Sequence, residues 1–119
     1  MKITSSVFSD KFELCNAKGE LVKEIPFTVN ITNVANLVTQ KQHALADVDQ
    51  NDVAAMGKAF IELLTAIFGE QVTSELLDYY AEDYLVMITD IAPMLTANIF
   101  PVFDNYRKSI IAARKKVKK

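Results

Sequence analysis

The chain changes its hydrophobic period near residue 31. Before that point apolar residues come in short alternating runs broken by turn residues; after it they recur at helical spacing almost to the C-terminus. That switch constrains the fold more than any single residue does, because a small β element must bury its one apolar face on something, and only helices follow it. The expected class is therefore α+β, mostly α-helical, with an N-terminal β-hairpin packed on a bundle of four to five helices. A 119-residue chain is sized for one domain with one modest core. The expected layout is a single domain over 1–119: a hairpin segment over 1–31, a helical body over 32–112 and a basic, frayed tail over 113–119.

In the β part, Lys11-Phe12-Glu13-Leu14-Cys15 and Glu20-Leu21-Val22-Lys23-Glu24-Ile25 flank Asn16-Ala17-Lys18-Gly19, whose glycine can supply the positive φ of a hairpin loop. Phe12 and Leu14 on one strand, and Leu21 and Ile25 on the other, mark the protected face, with Val22 out of phase. Pro26 removes a ladder donor, so Phe27 to Ile31 is expected to continue as an edge strand, and Val7 and Phe8 to form a further short strand.

Capping residues punctuate the helical part. Thr32 or Asn33 is expected to start a first helix through about Ala46, and Asn51 or Asp52 a second that ends at Gly69. Val53, Met56, Phe60, Leu63, Leu64 and Ile67 form the second helix's stripe, and Gly57 lies on it, which predicts a close helix crossing. From Thr73 or Ser74 the stripe Leu77, Tyr80, Tyr84, Met87, Ile88, Ile91, Leu95 runs without a phase break. Pro93 and Pro101 then predict kinks or a division into shorter helices, the last from about Val102 to Val117 with Phe103, Tyr106, Ile110 and Val117 on one side.

The net charge of −2 conceals an asymmetry. Between Ala44 and Asp104 the acids Asp47, Asp49, Asp52, Glu62, Glu70, Glu75, Asp78, Glu82, Asp83, Asp90 and Asp104 face Lys58 alone. After Asp104 come only bases: Arg107, Lys108, Arg114, Lys115, Lys116, Lys118 and Lys119. Opposite fields at the centre and the end favour self-association or docking on an acidic partner. Met1 to Asp10 has no apolar signal-like core, and no apolar stretch reaches the roughly 20 residues that span a bilayer, so the expectation is a soluble intracellular protein with no membrane contact.

No catalytic constellation emerges, and the expected role is not enzymatic. The single Cys15 permits no internal disulfide and is expected to pack as a small hydrophobe. The single His43 reads as a solvated helix residue, and neither a metal site nor a Cys15–His43 nucleophile pair has flanking motif support. Asp47-Val48-Asp49-Gln50-Asn51-Asp52 imitates a calcium loop, but its sixth position is Asp52 instead of Gly and its twelfth is Lys58 instead of Glu. Glu82 and Asp83, adjacent on a helix, point apart. Asn30-Ile31-Thr32 matters as a glycosylation acceptor only in a secreted protein. Tyr79, Tyr80 and Tyr84 can stack on bases, yet Asp78, Glu82 and Asp83 around them repel phosphate. No cofactor is expected.

Phe60-Ile61-Glu62-Leu63-Leu64-Thr65-Ala66-Ile67-Phe68-Gly69-Glu70, the capped segment through Tyr79-Tyr80, the aliphatic helix after it and the terminal 101–119 helix resemble the tail assembly chaperones of long-tailed bacteriophages and prophages. The hairpin and Ile25-Pro26-Phe27 are similar too, so the resemblance covers most of the chain. It implies a small, non-catalytic, mostly helical protein of the host cytoplasm, absent from the mature virion. Such a chaperone coats the helical tape measure protein, keeps it soluble, and gives way as tail tube protein polymerises around it. Reversible apolar contact with helix faces is the physical requirement. The candidate partner-binding residues are Tyr80, Tyr84, Phe103, Tyr106, Ile110, Arg114, Lys115 and Lys116, and truncating Phe103 and Tyr106 is expected to lower capture without loss of stability. Members of that family are often made in two lengths by frameshifting, and the lysine pairs at 115–116 and 118–119 imply adenine-rich codons suited to slippage. Two other roles remain: a structural tail component, such as a terminator or connector subunit forming a homo-oligomeric ring, and a small nucleic-acid-binding regulator, which the acidic centre disfavours.

Overall fold

Two antiparallel strands, β1 (Val7–Cys15) and β2 (Leu21–Asn30), open the computed structural model, which describes the backbone from Val7 to Val117 and the side chains as far as Ala113. The loop between them closes as its residues dictate. Asn16 Oδ1 accepts the amides of Lys18 (2.9 Å) and Glu20 (3.0 Å), and Gly19 takes φ 80°. Both strands outrun their expected ends: Val7 and Phe8 pair with Asn30 and Val29 inside β1 itself, and the segment after Pro26 belongs to β2.

Alternation sets the inner face. Phe12, Leu14, Ile25, Phe27 and Val29 are buried, while Ser9 and Thr28 bridge their hydroxyls at 3.1 Å on the outside. Leu21, expected on the inner face, is 53% exposed. The ladder shifts register between Leu14 and Cys15, and Lys23 stands opposite Leu14, reaching Glu75 at 3.6 Å, so the apolar face ends before Leu21. Cys15 is exposed too, which corrects its expected role as a packed residue.

Five α-helices follow: α1 (Ile31–Asp47), α2 (Val53–Phe68), α3 (Glu70–Tyr79), α4 (Tyr84–Met94) and α5 (Phe100–Val117), the last two joined by a π-helical turn over Leu95–Ile99. Side-chain caps start three of them. Asn30, Asp52 and Asp83 accept from the amides of Asn33, Ala55 and Val86 at 3.3, 3.0 and 3.3 Å. Gly69, at φ 89°, both closes α2 and leads directly into α3, which therefore begins earlier than Thr73.

α2 is the centre of the molecule. Phe60, Leu63, Leu64 and Ile67 are all but inaccessible, and α1, α3, α4 and β2 pack around them. The hairpin seats on the end of α2 through three rings, with Phe68 4.7 Å from Phe27 and 5.0 Å from Phe12 between centroids, both edge-on. At the other end the close crossing predicted by Gly57 is present: a Cβ there would stand 2.6 Å from Tyr84 Cδ2 and 2.9 Å from Tyr84 Cβ.

The prolines do not divide the last helices. α4, the π turn and α5 continue as one rod, and the amide of Phe100 reaches back to the carbonyl of Leu95 just before Pro101. The wider turn accommodates a residue that can neither donate nor tolerate a tight preceding carbonyl. It also corrects a drift. Met87, Ile91, Leu95, Ile99 and Phe103, all buried, recur every four residues, a spacing that overshoots an α-helical turn by about 40° at each step. Looser winding at Leu95–Ile99 returns the stripe to the core side.

The rod also overturns the expectation that no apolar stretch is long enough to span a bilayer. Tyr84–Ala113 contains an 18-residue window of mean hydropathy 1.6 and passes by length and composition. A core helix has the same composition, and the stripe Met87, Ile91, Leu95, Ile99 and Phe103 is buried, although only 22% of that window is.

Candidate helix-docking groove

The rod leaves the body as it proceeds. Phe103 is 1% exposed, Tyr106 is half-buried, and Ile110 and Ile111 are 42% and 53% exposed. Against this end of α5 lies the middle of α1, and the two helices enclose a groove of about 640 Å³ lined by Ala35, Asn36, Thr39, Gln40, Tyr106, Arg107, Ile110 and Ile111. α1 contributes a shallow floor, since Ala35 is small and Thr39 turns its hydroxyl back to the Ala35 carbonyl at 3.0 Å. α5 contributes the apolar wall.

Arg107 links the two. Its guanidinium donates to Asp104 Oδ1 at 2.8 Å on its own helix and to the Thr39 hydroxyl on α1. The same side chain borders a second cleft of about 320 Å³ with Gln42, His43 and Asp47, so it stands between the two. His43 is exposed there, as its sequence context suggested.

No protein-family profile matches this chain, and neither a curated protein nor a solved structure does. Geometry and chemistry alone therefore support a role.

The expected partner-binding residues fall into three groups. Tyr106 and Ile110 line the groove. Phe103 belongs to the core, a correction: its place on the four-residue stripe with Ile99 and Leu95 turns it inward. Tyr84 is half-buried and occupies the space left by the missing Cβ of Gly57, which makes it a helix-crossing residue. Tyr80 lies far from the groove, half-buried against the core in a depression of about 290 Å³ with Cys15, Tyr79, Asp90 and Met94. Burial first, and then the neighbouring Asp90 carboxylate, push the Tyr80 hydroxyl well above its ordinary pKa of 10.0. Its neighbour Tyr79 donates to the Cys15 carbonyl at 2.7 Å and pins the hairpin loop to α3. Arg114, Lys115 and Lys116 lie on the last turns of α5, and their side chains are outside the described residues.

Six groove residues escaped the sequence reading: Ala35, Asn36, Thr39, Gln40, Arg107 and Ile111. Ile111 carried a usable signal, because two adjacent isoleucines on a helix cannot both face the core. Arg107 and Thr39 are 68 positions apart and carried none. Among the described residues no group of three His, Cys, Asp or Glu side chains is placed to hold a metal ion.

Proposed function

We propose that this chain is a non-catalytic chaperone that holds an amphipathic helix of a longer partner in the groove between α1 and α5, the partner being the tape measure protein of a long-tailed phage. One observation carries the reading: the last third of the rod keeps Tyr106, Ile110 and Ile111 on a face that the body leaves open while α1 lies alongside. A groove flanked by two helices suits a third helix laid along them, with apolar anchors at i, i+3 or i+4 spacing. Its shallow floor favours reversible capture over tight one-site affinity, as a protein displaced by polymerising tube subunits requires. The basic end of α5 favours acidic stretches beside the bound helix.

Co-expression with the tape measure protein encoded nearest its gene tests this. The chain is expected to bring that partner into the soluble fraction and to co-purify with it through a moderate-salt wash, while Ile110→Asp with Ile111→Asp loses both effects with an unchanged melting temperature. Equal capture by that variant would remove the groove from the reading. Failure of the unaltered chain to keep the partner soluble would remove the chaperone role itself.

A further inference from the structure

The turn between α3 and α4 holds a conflict that the groove does not involve. Ala81 and Glu82 are consecutive non-glycine residues with φ 50° and 61°, in the left-handed region that L-residues avoid, and Ala and Glu are among the better helix formers. Their hydrogen bonds are satisfied, with Ala81 N–H on the Asp78 carbonyl at 3.2 Å and Glu82 N–H on the Leu77 carbonyl at 3.1 Å. Geometry in the turn is therefore sound; the residue types are the mismatch. Leu77, Tyr80, Tyr84, Met87, Ile88 and Ile91 meanwhile keep helical spacing straight through it. Local sequence encodes one unbroken helix from α3 into the rod, and the break appears where α4 turns to pack on the same α2 as α3.

We propose that a second copy of this chain resolves the conflict by exchange of the rod. Ala81 and Glu82 become right-handed, α3 and the rod become one continuous helix, and each rod packs on α2 of the other copy, setting its Tyr84 on that copy's Gly57. The contacts of the rod with α2 and α1 are re-formed between copies, so apolar burial is conserved, while strain in two turns is released. Against this stand the cap that Asp83 gives the Val86 amide, lost in a continuous helix, and the entropy of association. The balance makes the exchanged dimer concentration-dependent. It does not depend on what occupies the α1–α5 groove.

Size-exclusion chromatography with light scattering on the full chain tests the exchange, in reducing buffer because the exposed Cys15 can otherwise couple two copies. The unaltered chain is expected to shift from monomer to dimer with rising concentration and to return slowly on dilution, since the rod must leave α2 first. Ala81→Gly with Glu82→Gly accepts the left-handed turn without cost and resists helix, so its dimer dissociation constant is expected to rise at least about a hundredfold while the monomer melts no earlier. Asp83→Ala removes the cap and is expected to tighten the dimer by roughly tenfold or more. A dimer equally tight in the double glycine variant would be an ordinary face-to-face contact and would overturn the exchange. So would a monomer at every concentration in both the unaltered chain and the Asp83→Ala variant.

Discussion

The two halves of the rod are covalently one helix and physically two different objects. From Tyr84 to Phe103 every fourth residue enters the core, and Met87, Ile91, Leu95, Ile99 and Phe103 are each less than 5% exposed. From Tyr106 onward the same periodicity delivers Tyr106 and Ile110 to a groove instead. Apolar spacing hardly differs between the halves, although both prolines lie in the first and the closing bases in the second. What differs is whether another element receives the stripe: α2 packs against α4 at the start of the rod, while α1 is the element that meets α5. An apolar helix face is core or binding surface according to its neighbours.

Substitutions that treat the halves alike should expose this difference, and the largest effect belongs to the first. Phe103→Ala is expected to cost about 3–5 kcal/mol in urea denaturation, because a ring at 1% exposure leaves a cavity that its neighbours fill only in part. A loss under about 1 kcal/mol would mean that the rod detaches as far back as Phe103. Next comes Gly57→Ala. A methyl group within 3 Å of three Tyr84 carbons must displace that ring, and an expected loss of about 1–3 kcal/mol outweighs the helix-propensity gain of about 1 kcal/mol. A stabilised variant would show that α4 lifts from α2 at little cost.

Smaller effects are expected on the open side. Ile110→Asp with Ile111→Asp should change stability by no more than about 0.5 kcal/mol, since both residues are already exposed, and should act on partner capture alone. Arg107→Ala breaks a half-exposed clip and is expected to cost less than about 1 kcal/mol in denaturation.

Tyr80 supplies a pH-dependent check on the buried side. Its folded pKa lies above its unfolded value of 10.0, so the neutral hydroxyl is favoured in the fold. The associated stability is fully present below pH 10.0 and is lost as pH rises above it, because the unfolded chain then releases a proton that the folded one keeps. Tyr80→Phe is expected to flatten that alkaline decline in thermal melts.

Much of the architecture was legible because local chemistry and tertiary need agree there. Asn16 and Gly19 made the hairpin loop, Asp52 and Gly69 bounded α2, and Gly57 announced a close crossing. Misreadings cluster where they disagree. Pro93 and Pro101 argue locally for breaks, yet Pro93 sits inside α4 and a π turn precedes Pro101; Ala81 and Glu82 argue locally for helix, and packing breaks it. Leu21 looked like an inner-face residue until a register shift at the end of the ladder left it outside, and Cys15, expected to pack, is exposed beside it.

The sequence by itself determined which segments are strand and helix, where α2 starts and ends, and which faces are apolar, because hydrophobic period, caps and turn residues act over a few positions. Tertiary structure alone decided which of those apolar faces are covered. Phe103 and Ile110 lie seven residues apart on one side of one helix and are indistinguishable by periodicity, and only the packing around each separates a core ring from a groove wall. The Arg107 clip to Thr39 likewise depends on a meeting of α1 and α5 across 68 positions of chain, which no local pattern encodes.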